Sequence, residues 1–136
     1  MMKALTLTEP WATLMKLGEK NVETRSWKTN YRGPVAIHAA KLMPMYAKAF
    51  CTDRDVLAAF LRHDEHRWFQ PGKILCIRTL IDCIPTQQMP LSFSPIERRF
   101  GDYTPGRWAW IFTRDISLVI PPVEIQGALG LWNWQN

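Results

Sequence analysis

Apolar and polar positions alternate over residues 3–8, Leu5 and Leu7 against Thr6 and Thr8, which predicts a half-buried strand. The period then changes. Trp11, Leu14, Met15 and Leu17 fall on one face of a helix, with Thr8 as its N-cap and Glu9 and Pro10 in its first turn. Gly18 stops that helix, because glycine accepts the left-handed backbone of a helix end. Residues 22–27 and 35–40 read as two further strands joined by the polar segment Lys28-Thr29-Asn30-Tyr31-Arg32-Gly33-Pro34. Tyr46, Ala49, Phe50, Val56, Leu57 and Phe60 keep helical spacing over residues 45–61, and Asp53-Arg54-Asp55 is placed to break the run in two.

Residues 63–68 form a polar loop, and Pro71-Gly72 turns into a long β-rich run over 73–84. Residues 87–93 show little periodicity. Ser94-Pro95-Ile96-Glu97 has the form of a capping box with proline at the first helical position, opening a short helix before Gly101. Strands follow over 107–113, 117–120 and 127–134, and no repeat, low-complexity tract or linker interrupts them. Strands joined by irregular loops, with two main helices inserted early, predict a mixed α/β (α+β) barrel of five or six strands rather than a doubly wound parallel sheet. A dinucleotide-binding fold lacks its Gly-x-Gly-x-x-Gly, and no phosphate-binding loop, His-Glu-x-x-His or Gly-x-Ser-x-Gly occurs.

A length of 136 residues suits a single domain spanning 1–136, with enough apolar residues for one core. No apolar run approaches the roughly 18–20 residues of a membrane span, and no signal peptide is visible, so a cytoplasmic location is expected. Three cysteines, Cys51, Cys76 and Cys83, give neither an even count nor a Cys-x-x-Cys pair. His38, His63 and His66 lack a metal-ligand spacing, so no metal or cofactor is expected. The net charge of +5 favours polyanions, and seven tryptophans offer more flat surface than a small core consumes. A basic surface with aromatic platforms suits unstacked bases.

The densest polar stretch runs from Gly18 to Trp27. On a strand Glu23, Arg25 and Trp27 share one face, and Lys20 lies in the turn that feeds it. A carboxylate between two cations has the composition of an active site, where neighbours perturb each other's titration. It has equally that of a surface ion-pair ladder.

Leu7-Thr8-Glu9-Pro10-Trp11-Ala12, followed by Gly18-x-Lys20-x-x-Glu23-x-Arg25, resembles the signature of the ASCH family, the activating-signal-cointegrator homology domains. Tyr31-Arg32-Gly33-Pro34 before the His38-Ala39-Ala40 strand, the block from Phe100 to Trp110, and Gly130-Leu131-Trp132-Asn133-Trp134 are similar to later blocks of small bacterial and phage members. The resemblance implies a PUA-like β-barrel with a cleft beside the first helix, and binding of RNA or, in some members, DNA. It also implies two enzymatic alternatives. One branch hydrolyses the amide of N4-acetylcytidine with a lysine, a threonine and a glutamate, and other members act as ribonucleases. Lys20 matches that lysine, Glu23 stands where the branch has threonine with Thr24 adjacent, and Glu97 is the candidate for the remote glutamate.

The expected function is therefore a nucleic-acid or nucleotide-binding domain, for RNA or single strands rather than duplex DNA. An amidohydrolase for acylated nucleosides, a ribonuclease and a protein-interaction module are the alternatives. Trp11, Lys20, Glu23, Arg25, Trp27, Arg32, Lys41, Tyr103 and Arg107 are the candidate ligand-binding residues, with Lys20 and Glu23 as the catalytic pair if there is chemistry. Trp11 is a base platform or a core residue, and Arg25 a phosphate fork or a partner of Glu23. Trp27 and Arg32 belong to a basic–aromatic loop, Lys41 ends the His38 strand, and Tyr103 and Arg107 flank a turn. His38 reads as an internal hydrogen-bonded residue.

Overall fold

In the computed structural model, which describes residues 1–65 and 69–135, six strands form one sheet. The expected polar loop over 63–68 lies partly outside the described residues. In chain order the elements are β1 (Met2–Leu7), α1 (Trp11–Leu17), β2 (Val22–Arg25), β3 (Gly33–Ala39), α2 (Met45–Phe50) and α3 (Arg54–Arg62). There follow β4 (Lys73–Pro85), a 3-10 turn (Thr86–Gln88), α4 (Pro95–Arg99), β5 (Trp108–Glu124) and β6 (Leu131–Trp134). The sheet order is β2-β5-β4-β3-β1-β6, antiparallel throughout except for the parallel pair β1 and β3.

The sheet curls without closing. β2 and β6 are its edges; β2 ladders with β5 alone, and side chains make the further ties of the β2 segment, across the gap to β1 and at the turn beyond Arg25. Arg25 Nη2 donates to the Thr6 carbonyl at 2.9 Å, and Trp110 Nε1 donates to the Trp27 carbonyl at 3.2 Å. Leu5, Leu7, Val35, Ile37, Leu75, Leu80, Trp110 and Phe112 fill the interior against Ala12 and Met15 of α1. The opposite side of α1 presents Leu14 to Val56, Ala59, Phe60 and Phe100, so this helix is the layer between the sheet and α3.

Local signals explain most of the boundaries. Gly18 sits at φ 76° as the left-handed end of α1, with its N–H on the Leu14 and Met15 carbonyls. Asp53 breaks the long helical run and caps α3 by accepting from Asp55 N at 2.9 Å. Ser94 caps α4 as the capping-box pattern predicts, with Pro95 first in the helix. Two expectations need correction. Thr8 makes no side-chain cap on α1; Glu9, buried beneath the turn, accepts from Thr13 N at 2.8 Å and Thr13 Oγ1 at 2.7 Å instead. The two strands expected over 107–113 and 117–120 are one continuous β5, because register shifts against β4 carry the polar Arg114-Asp115 pair along the ladder without a turn.

Arg78 stands fully buried in the largely apolar β4. Its guanidinium donates to the carbonyls of Met15 (2.7 Å), Lys20 (3.1 Å), Thr113 (2.7 Å) and Asp115 (3.2 Å), and also to Asn21 Oδ1. One side chain thus clamps the end of α1 and the Lys20–Asn21 turn onto β5. This clamp sets the position of the segment that carries the polar motif.

Candidate ligand cleft

A cleft of about 570 Å³ opens beside α1, where the curled sheet stays unclosed. Thr6 and Thr8 come from the end of β1, and Glu23, Thr24 and Arg25 from β2. Trp11, Tyr46 and Phe50 form an aromatic wall. The end of α4 and the segment after it supply further lining with Arg99, Phe100, Gly101, Asp102 and Arg107.

The Gly-x-Lys-x-x-Glu-x-Arg residues make one charged unit. Lys20 is fully buried and does not line the cleft; its ammonium donates to the carbonyls of Val22 and Phe100 (3.0 Å for the latter). It also lies 3.2 Å from Glu23 Oε1. Glu23 Oε2 lies 3.0 Å from Arg25 Nε, close enough for charge attraction though not aligned as a hydrogen bond. The carboxylate is therefore held from both sides by cations, while its partly exposed face lines the cleft. Behind this unit, Glu97 accepts from Asn21 N at 2.6 Å. Burial raises the Glu97 pKa above the usual carboxyl value, against the opposing pull of Lys20 and the Asn21 and Val22 amides.

Thr24 Oγ1 accepts the Asp102 N–H at 3.0 Å, which leaves its own hydroxyl proton for another partner. Glu23 and Thr24 both line the cleft, an acceptor and a donor from successive positions of β2. On the wall, one face of Trp11 is stacked on Phe50 at 5.3 Å and 15°. Tyr46 leans over Trp11 at 6.2 Å and is 67% exposed, so Tyr46 rather than Trp11 has the more open ring. Arg99 bridges the mouth to the start of α3, pairing with Asp53 at 2.7 Å and with Asp55. Below the cleft edge a relay runs from Trp132 Nε1 to Thr6 Oγ1 (3.0 Å), from Thr6 to His38 Nδ1 (3.0 Å), and from His38 Nε2 to the Ile125 carbonyl (2.8 Å). The carbonyl can only accept, so Nε2 carries the proton and His38 is an internal hydrogen-bonded residue.

Of the residues singled out from the sequence, Trp11, Glu23, Arg25 and Arg107 line the cleft, and Lys20 lies directly behind Glu23. Trp27 turns away to meet the edge of Trp110 at 4.8 Å, since the chain leaves β2 after Arg25. Arg32 donates to the carbonyls of Thr29 and Tyr31 and pairs with Asp82, and Lys41 lies against Gly72. Tyr103 packs on Phe93 and Arg98 with its hydroxyl buried and unpartnered among the described residues. Burial also raises its pKa. Burial pushes the Cys76 thiol up to about 12, as suits a small apolar core residue.

Thr6, Tyr46, Phe50, Arg99 and Asp102 also line the cleft, and no motif in the sequence marks them for it. Tyr46 and Phe50 carry the spacing of any helix core face, and Arg99 ends a one-turn helix. Only the break at Asp53-Arg54-Asp55 hints that the residues before and after it pack separately.

An open, curled mixed sheet with its helices packed on one region of it is consistent with a PUA-like fold. The ASCH domain model matches residues 5–112, and the chain belongs to the ASCH family. The match covers every residue that lines the cleft and ends within β5. Comparison with curated proteins returns no match.

Proposed function

We propose that the domain binds single-stranded nucleic acid, RNA foremost, by admitting one base into the cleft. The observation that carries this reading is Glu23, a carboxylate fixed between Lys20 and Arg25 and set across from an aromatic wall. A base amino group donates to Glu23, as cytosine N4 does to a glutamate. A neighbouring ring acceptor receives the Thr24 hydroxyl proton, and the open face of Tyr46 stacks on the ring. Lys20 serves this arrangement by positioning Glu23, since its own contacts all lie inside the protein. The test is fluorescence anisotropy with short single-stranded RNA and its duplex. Single strands bind more tightly, and Tyr46→Ala, an exposed change with little effect on folding, weakens them by the roughly 1–3 kcal/mol of one lost stacking contact. Equal affinity for duplex, or no loss in Tyr46→Ala, removes the reading.

One observation favours amide hydrolysis as a second reading. Glu23 and Thr24 both line the cleft, so a carboxylate that activates water and a hydroxyl donor for a developing oxyanion share one site. Mass spectrometry of acetylated cytidine and short RNA after incubation with the protein separates turnover, strand cleavage and binding. Unchanged substrates leave binding alone.

A further inference from the structure

Three arginines line the cleft, and they differ in what already neutralises them. Arg99 lies between two carboxylates, Asp53 and Asp55, so at that end of the cleft its charge is already neutralised. The other end is different. Lys20, Glu23 and Arg25 together keep one positive charge. Arg107 has only a 3.6 Å contact with the exposed Asp102 carboxylate and otherwise donates to backbone carbonyls, Asp102 O at 3.1 Å and Thr24 O at 3.3 Å. Arg25 likewise gives Nη2 to the Thr6 carbonyl. Carbonyl partners fix a guanidinium without cancelling its charge, and no protein acceptor takes Nη1 of either side chain among the described residues. Arg107 bonds the carbonyl of Thr24, the residue before Arg25, and both arginines line the same cleft.

We infer that Arg25 and Arg107 form a subsite for one phosphate, so the cleft grips a single nucleotide unit with its phosphate at this end and none at the Arg99 end. The inference rests on the proposed binding of a base and deepens it. Two forks held in place match the oxygens of one phosphate. A second phosphate beside Asp53 and Asp55 meets like charge. The strand enters in one direction, base toward Glu23 and Tyr46, phosphate toward Arg107. A basic protein thereby recognises nucleic acid through a nearly neutral cleft.

Two measurements test this. The first is the salt dependence of affinity for a short single-stranded RNA of mixed sequence. One contacted phosphate gives a log–log slope of about −0.7; Arg107→Met moves it toward zero, and Arg114→Met, an exposed change outside the cleft, leaves it alone. The second is a titration of the parent protein with inorganic phosphate at constant ionic strength, followed by the arginine Nε–H resonances. Arg25 and Arg107 shift and saturate while Arg99 does not. A slope steeper than about −2 shows several phosphates engaged and overturns the subsite. So does a phosphate shift at Arg99 equal to that at Arg107, or no shift at either Arg25 or Arg107. If phosphate shifts Arg25 and Arg107 but no RNA binds, the anion subsite stands and the nucleic-acid reading falls.

Discussion

Replacing Lys20 with methionine tests whether the charged unit behind the cleft is held as described. The side chain is fully buried, so methionine fills much of the same space and the loss is chiefly electrostatic. Glu23 keeps Arg25 but loses the ammonium 3.2 Å from Oε1, and the Phe100 carbonyl loses a donor at 3.0 Å. Breaking one side of a buried ion pair costs about 3–5 kcal/mol, and a carbonyl left without a partner about 1–3 kcal/mol more where water cannot reach it. Glu23 retains some access to water in the cleft, which places the expected loss at about 4 kcal/mol, a large part of a typical domain stability of about 5–15 kcal/mol. Urea unfolding followed by tryptophan fluorescence reads it as a lower midpoint at unchanged slope. Adding Glu23→Gln removes the carboxylate left with one cation in place of two, so the double variant recovers about 1–3 kcal/mol relative to additivity. A loss below about 1 kcal/mol in Lys20→Met, or strict additivity in the double variant, refutes the pairing as the source of order at this site.

Three further outcomes follow from the same geometry. Burial raises the Glu97 pKa above 4.5, so its contribution to stability is complete below the unfolded value and is lost as pH climbs through the higher folded one. The melting temperature of Glu97→Gln relative to the parent therefore rises from about pH 4.5 toward neutrality, and a difference independent of pH contradicts the assignment. A Cβ at Gly101 meets Tyr103 Cε1 at 3.0 Å and Thr24 Oγ1 at 3.2 Å, so Gly101→Ala costs about 1–3 kcal/mol by overpacking and weakens RNA binding as Thr24 shifts; a neutral variant in both assays fails the prediction. At Gly18 the left-handed backbone is compounded by an approach of 2.9 Å to Ile116 Cδ1, and Gly18→Ala loses about 1–2 kcal/mol in urea unfolding.

Where a short-range rule decided the structure, the sequence was readable. Gly18, Asp53 and Ser94 act on backbone groups a few residues away, and each stands at the boundary its chemistry predicts. The Lys20, Glu23 and Arg25 spacing likewise reveals a charged unit, because a turn followed by a strand fixes their relative positions. Long-range contacts were not readable. Nothing near Arg78 announces that it will clamp the Lys20 turn, and a mid-strand arginine in an apolar run looks like an interruption. Tyr46 lines the cleft from α2, while Trp27, beyond the end of β2, packs on Trp110 and Lys41, beyond the end of β3, lies against Gly72. The continuity of β5 through Arg114 and Asp115 depends on register shifts in its partner strand, which no local pattern encodes.

The central claim, that one unstacked base of a single strand enters the cleft at the unclosed edge of the sheet, is tested most directly by mapping amide shifts in the labelled protein during titration with short single-stranded RNA. The account predicts saturating shifts at Thr6, Thr8, Glu23, Thr24, Arg25, Tyr46 and Gly101, with the exposed loop around Lys28 and Arg32 unchanged. Shifts centred on that loop and on Lys41, or none at any concentration that saturates binding, contradict it.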